Sequence, residues 1–103
     1  MINILLVEDD PIIGRGLEIN LKSMDYNVFW KKTLREAIYH ETHNISDLVI
    51  LDLNLPDGNG FSFCEAVRNK KSKTPIIILT ASIEEEVAVK SFELGARDYV
   101  RKP

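Results

Sequence analysis

The sequence holds a single cysteine, Cys64, in 103 residues. One thiol excludes an internal disulfide framework and a cysteine-based zinc site. Long apolar runs are missing too. The longest, residues 4–7, 48–51 and 76–79, are four residues each, against the roughly 20 a membrane span requires. There is no surplus of basic charge. Lys plus Arg number 13 and Asp plus Glu 16, for a net charge of −3, which argues against a nucleic-acid-binding domain. No basic stretch precedes the first apolar run, so no secretory leader is expected. Low-complexity segments, linkers and sequence repeats are also lacking. What is there is ordinary for a soluble globular domain: 45% hydrophobic and 28% charged residues. That apolar content is enough to build a core, so the chain is not a disordered acidic tail. The length predicts one domain over residues 1–103, and the cysteine usage points to the cytoplasm.

Two periods alternate along the chain. Ile4-Leu5-Leu6-Val7 is a continuous apolar run, the pattern of a strand buried on both faces. Asp10-Pro11 reads as a helix N-cap followed by proline at the first helical position. Ile12, Ile13, Leu17, Leu21 and Met24 then recur at helical spacing. Asp25-Tyr26-Asn27 breaks that helix, and Val28-Phe29-Trp30 forms a second strand. Thr33 caps the next helix, with Glu36 placed for a capping box. Leu48-Val49-Ile50-Leu51 is a third strand. Residues 56–60 form a dense turn, in which Gly58 and Gly60 need unusual backbone angles. Phe61, Cys64 and Val67 line a further helix, so Cys64 is core. Ile76-Ile77-Ile78-Leu79 is a fourth strand. A helix follows over 83–94, its Glu84-Glu85-Glu86 solvated and Gly95 as its stop. Asp98-Tyr99-Val100 is a fifth strand. The alternation predicts an α/β fold with a doubly wound, five-stranded parallel sheet and right-handed crossovers.

In such sheets ligands bind outside the carboxyl ends of the strands. Glu8, Asp9 and Asp10 follow the first strand. Asp52 follows the third, with Asn54 two residues on. Thr80 follows the fourth and Lys102 the fifth. The second strand ends in Trp30-Lys31-Lys32, with nothing that looks catalytic. Carboxylates about 4–5 Å apart repel by roughly 3–4 kcal/mol at an effective dielectric near 20. A hard divalent ion with oxygen ligands relieves this, and Mg²⁺ is the favoured one. A carboxylate beside Mg²⁺ and lysine is suited to nucleophilic attack on a phosphoryl group. Mg²⁺ and Lys102 neutralise the phosphoryl oxygens, and Thr80 offers them a hydroxyl. Asp10 reads as a cap and not as a ligand. His40 and His43, one helical turn apart, read as a solvated face. Gly14-Arg15-Gly16 and Gly58-Asn59-Gly60 lack the third glycine of a dinucleotide fingerprint: Ile19 and Phe63 stand there.

Glu8-Asp9, Asp52 in Leu51-Asp52-Leu53-Asn54-Leu55-Pro56-Asp57-Gly58, Thr80-Ala81, and Gly95-Ala96-Arg97-Asp98-Tyr99-Val100-Arg101-Lys102-Pro103 together resemble the receiver domains of two-component response regulators. The resemblance covers the whole chain. It implies a flavodoxin-like sheet of strand order 2-1-3-4-5. It implies Asp52 as phospho-acceptor from a histidine kinase, forming an aspartyl phosphate. Mg²⁺ would be held by Asp9, Asp52 and the backbone carbonyl of Asn54, with Glu8 acting through water. Lys102 would pair with the phosphoryl group, Thr80 and Tyr99 would form the switch pair, and Lys102-Pro103 would carry a cis peptide bond. Asn54 and Ser82 occupy positions that tune hydrolysis of the phospho-aspartate. The 83–101 surface would change on phosphorylation and control an output domain or partner in signal transduction. Such a domain is not an enzyme in the usual sense, although it catalyses its own phosphorylation and dephosphorylation at Asp52. Leu-Pro-Asp-Gly and Tyr99 resemble the winged-helix transcription-factor subclass, whose output domain binds DNA and would lie outside this chain. Arg97-Asp98 departs from the acidic pair usual before the switch aromatic.

The family pattern also has a fifth helix, absent here. Bare apolar surface on one face of strands one, three and five predicts a homodimer, a swapped association or marginal stability. Two other functions compete. A haloacid-dehalogenase-like phosphatase also uses an Asp at a strand end with Mg²⁺, but needs a second Asp where Asn54 stands. A phosphorylation-independent interaction module would keep the fold without the full set Glu8, Asp9, Asp52, Thr80 and Lys102.

Overall fold

The computed structural model of the chain describes residues 1–70, 72–80, 93 and 97–101. Its elements in chain order are β1 (Asn3–Val7), α1 (Pro11–Ser23), β2 (Asn27–Lys31), α2 (Leu34–His43), β3 (Leu48–Asp52), β4 (Asn54–Leu55), β5 (Gly58–Asn59), α3 (Phe61–Asn69), β6 (Ile76–Thr80) and β7 (Asp98–Arg101). Five strands form one sheet in the order β2-β1-β3-β6-β7, and every neighbouring pair is parallel. Leaving aside the two-residue strands β4 and β5, this is the expected 2-1-3-4-5 order. Helix 83–94 falls outside the described residues except for Glu93, and so do Gly95 and the Lys102-Pro103 bond.

The dense turn over 56–60 is more ordered than its composition suggested. β4 and β5 pair antiparallel as a tight hairpin, Leu55 opposite Gly58. Gly58 closes it at φ +155°, a backbone region that L side chains rarely adopt. The Asp57 carboxylate at this tip accepts from the backbone N–H groups of Leu34 (2.7 Å) and Arg35 (2.9 Å). It therefore caps the start of α2 from another part of the chain, and those two bonds hold its pKa below the usual value. Thr33 caps the same helix locally, accepting from Glu36 N–H at 3.1 Å. The Glu36 carboxylate answers by accepting from the Thr33 hydroxyl, at 3.1 Å.

Period-two alternation divides the sheet residues between two faces. Leu5, Val7, Val49, Leu51, Ile76 and Ile78 face α2 and α3 and form the main core with Ala37, Phe61, Cys64 and Val67. Phe63, which the helical spacing did not single out, is fully buried there. Cys64 is core as expected, and burial pushes its thiol up to about 11, leaving a poor nucleophile at neutral pH. Ile4 and Leu6 face the other way and are also buried. α1 lies on that second face, where Trp30 of β2 packs against Gly14. Gly14 is the buried residue of α1; Ile12 and Met24, part of its apolar periodicity, are exposed.

The two α1 glycines differ in what surrounds them. A Cβ on Gly14 would lie 2.1 Å from Cζ2 of Trp30, whereas one on Gly16 would meet nothing within 4 Å. Gly14→Ala is expected to lower stability by about 1–3 kcal/mol through overpacking. Gly16→Ala is expected to raise it by roughly 0.5–1 kcal/mol through helix propensity. Urea denaturation of the two variants checks both signs.

The solvated reading of the histidine pair holds for His43 and fails for His40. His43 is exposed and stacks on Tyr39 with ring centroids 4.3 Å apart. His40 is buried, its ring 4.9 Å from that of Phe29 on β2. A helix seated over an edge strand buries the side chain that points at it, and one-dimensional spacing does not reveal which of two histidines that is. Burial, assisted by the Lys31 charge and opposed by Glu41, lowers the His40 pKa from 6.5. A histidine whose folded pKa is depressed binds its proton more readily in the unfolded chain, so stability is lost as pH falls below about 6.5. Denaturation midpoints at about pH 7.5 and about 5.5 are expected to differ in the wild type and to converge in His40→Gln.

Candidate functional site

All five strands of a parallel sheet end at one edge, so residues following each strand gather there. β1 delivers Glu8 and Asp9, β3 ends on Asp52 and β6 ends on Thr80. Thr80 lies opposite Arg101 of β7, and Tyr99 lies opposite Ile78. The side chains of Thr80 and Tyr99, and Lys102 altogether, lie outside the described residues.

Three of the expected residues do meet. Glu8, Asp9 and Asp52 each place a carboxylate oxygen within 4.8 Å of the others. Glu8 and Asp52 are fully buried, while Asp9 is exposed. At that separation each charged pair repels by roughly 3–4 kcal/mol at an effective dielectric near 20. The donor set is carboxylate oxygen throughout, which suits a hard cation such as Mg²⁺ rather than zinc. The residues present therefore fit the ion that the acidic pattern implies.

Local hydrogen bonds shape both acidic loops. Asn54 N–H donates to Asp52 Oδ1 at 3.1 Å, which holds the carboxylate against the start of β4. The Asn54 side chain itself is exposed. Asp10 N–H donates to Glu8 Oε2 at 3.1 Å. Asp10 is the α1 cap expected from the sequence: its Oδ1 accepts from Ile12 N–H at 2.8 Å and Ile13 N–H at 3.2 Å.

Two residues next to the acids have roles that the sequence does not indicate, and the unusual backbone angles expected at Gly60 are not found. Gly60 has ordinary helical angles, φ −59° and ψ −21°. Its need for glycine is close approach: a Cβ there would lie 2.4 Å from the backbone oxygen of Asp52. Trp30, dismissed with its strand end, donates its indole N–H to the Glu8 carbonyl at 2.8 Å. No one-dimensional signal marks either contact: the first depends on how the loop between Asp52 and Gly60 folds back on itself, the second on two separate strands meeting.

Comparison with known proteins agrees with this geometry. The family model described as the response regulator receiver domain matches residues 4–103. The KDP operon transcriptional regulatory protein KdpE of Escherichia coli is 39% identical over 103 residues, 100% of this chain and 45% of that protein. The cell cycle transcriptional regulator CtrA of Caulobacter vibrioides is 40% identical over 100 residues, 97% of this chain and 43% of that protein. The chain thus spans less than half the length of these curated relatives. The non-phosphorylated receiver domain of HemR from Leptospira biflexa overlays at a TM-score of 0.94 with 43% identity, covering 100% of this chain and 83% of that one. Order of strands, placement of acids and sequence likeness over nearly every residue lead to one assignment: the chain belongs to the response regulator receiver domain family.

Proposed function

We propose that the chain is a phospho-accepting switch in which Asp52 takes a phosphoryl group from a histidine kinase. The observation that carries this reading is the cluster of Glu8, Asp9 and Asp52, with carboxylate oxygens within 4.8 Å at the carboxyl edge of the sheet. An Asp52 carboxylate oxygen attacks phosphorus, the bond from phosphorus to the donor atom breaks, and an acyl phosphate results. Asn54 N–H on Oδ1 orients the nucleophile. Glu8, Asp9, Asp52 and the Asn54 backbone would hold Mg²⁺, which when bound supplies positive charge to the crowded acids and to the phosphoryl oxygens. Lys102 and Thr80 serve the same oxygens, and Thr80 with Tyr99 relays the change to the 83–101 surface. The chain in this sense catalyses its own phosphorylation and dephosphorylation without acting on a separate substrate. The output is control of a DNA-binding segment beyond these residues, as supported by likeness to two transcriptional regulators. Among the described residues no helix is long and apolar enough to cross a membrane.

The test is intact mass after incubation with a small phosphodonor, in Mg²⁺ or in a chelator. The expected result is one acid-stable, base-labile phosphoryl group in Mg²⁺ and none in chelator. A chain that binds Mg²⁺ but gains no mass would overturn the switch and favour a phosphorylation-independent interaction module.

A further inference from the structure

Trp30 is the sole tryptophan of the chain, and three separate contacts fix it. Beneath the ring is Gly14 of α1, so close that even a methyl group there would lie 2.1 Å from Cζ2. On the ring sits the Lys32 ammonium, 4.8 Å from its centroid, a cation–π distance. At the indole nitrogen is the Glu8 carbonyl, at 2.8 Å. The same residue is held on its amide side as well, since Glu8 N–H donates to the Lys31 carbonyl at 3.0 Å. Glu8 is thus gripped at both backbone ends by the end of β2.

The consequence reaches Asp9. The Glu8 carbonyl and the Asp9 N–H belong to one rigid peptide plane. An indole that fixes the carbonyl fixes that plane, and with it the direction in which Asp9 leaves the backbone. Asp9 is the exposed member of the acidic cluster, so its placement depends more on its backbone than on surrounding packing. Glu8 is treated from the other side, where its Oε2 accepts from Asp10 N–H.

We propose that Trp30 is a positioning residue for the acidic loop: seated on Gly14, it clamps the Glu8–Asp9 peptide and preorganises Asp9 for a divalent cation. This rests on the reading of the acidic cluster as a cation site. Gly14 and Trp30 are one device, a glycine in a helix that makes room for an indole on the neighbouring strand. Preorganised ligands gain affinity because the ordering cost is met before binding.

The test is Mg²⁺ titration by calorimetry on the wild type, Trp30→Phe, Gly14→Ala and Gly16→Ala. Trp30→Phe keeps an aromatic side chain but loses the N–H, together with the indole edge (Cε2, Cζ2, Nε1) that lies over Gly14. Its Mg²⁺ affinity is expected to fall about 3- to 10-fold, the typical range for one hydrogen bond. Gly14→Ala keeps the N–H and displaces the ring, so it is expected to weaken binding as well. It also carries the test should Trp30→Phe not fold. Gly16→Ala, on the same helix with open space around it, is expected to bind as the wild type does. A merely structural role for Trp30 would lower the urea midpoint and leave Mg²⁺ affinity unmoved, and wild-type affinity in folded Trp30→Phe would overturn the clamp alone. A wild type that binds no Mg²⁺ would overturn the cation site and the clamp with it.

Discussion

Asp52→Asn is expected to abolish phosphoryl uptake and, without divalent ions, to make the chain more stable. The two effects share one cause. Glu8, Asp9 and Asp52 bring carboxylate oxygens within 4.8 Å, and two of the three residues are fully buried. Charges at that spacing repel by roughly 3–4 kcal/mol per pair at an effective dielectric near 20. Relaxation and neighbouring groups offset much of this, so a net gain of about 1 kcal/mol on neutralising Asp52 is a reasonable expectation, a rise of about 4–8 °C in Tm for a domain this size. The amide oxygen still accepts from Asn54 N–H, so the loop keeps its local bond. Mg²⁺ is expected to stabilise the wild type strongly and the variant weakly, since stabilisation by a ligand grows with the logarithm of its affinity for the folded chain. Intact mass and thermal melts with and without Mg²⁺ read both effects. Base-labile phosphoryl uptake by the variant would place the acceptor elsewhere. An unchanged Tm would mean that repulsion among the acids is already relieved within the fold.

Gly60→Ala is expected to be the most damaging single-methyl change near the acceptor. The backbone angles at Gly60 suit any residue, so the cost is steric alone. The added Cβ would lie 2.4 Å from the Asp52 carbonyl oxygen and 3.0 Å from the Leu53 Cα. Neither is the tip of a flexible side chain, so backbone must move. Gly60 N–H also donates to the Leu53 carbonyl at 2.8 Å, tying the start of α3 to the strand end. Overpacking of this kind costs about 1–3 kcal/mol, occasionally more, and here the segment displaced carries the nucleophile. Phosphoryl uptake is expected to slow along with the loss of stability. Gly58→Ala makes the informative contrast. Its cost comes from the positive φ, and its contact is the Leu34 Cδ2, a side-chain end that can yield. Its uptake rate is expected to stay closer to wild type. Equal uptake in Gly60→Ala and wild type would show that the Asp52 carbonyl gives way without moving the carboxylate.

These two glycines also mark where reading the sequence reaches its limit. Both were legible as turn residues, and for Gly58 the reason was right. For Gly60 the reason was different, because close approach of two backbones is a property of the packed loop. His40 gives the same lesson. Spacing showed two histidines on a helix; only the seat of α2 over Phe29 decided that one is buried and the other stacks on Tyr39 in solvent. Trp30 was passed over since a strand end rich in Trp and Lys carries no chemical signature. Its role exists only because β2 lies beside β1 and α1 presents a glycine to it. Asp57 belongs here too, as a cap for a helix more than 20 residues earlier in the chain.

Alternating periods of apolar residues determined the fold class, because strands buried on both faces and amphipathic helices leave local patterns that survive without tertiary contacts. Right-handed crossovers and the acids at strand ends determined where chemistry would gather, since every strand of a parallel sheet ends at the same edge. The tertiary structure alone decided distances: that Glu8, Asp9 and Asp52 come within 4.8 Å, that Gly60 lies under the acceptor's carbonyl, and that an indole grips the peptide before Asp9. The reason is physical. Periodicity and local capping are carried by residues three or four apart, while Glu8, Asp9 and Asp52 come from strands far apart in the chain that meet only when the core packs.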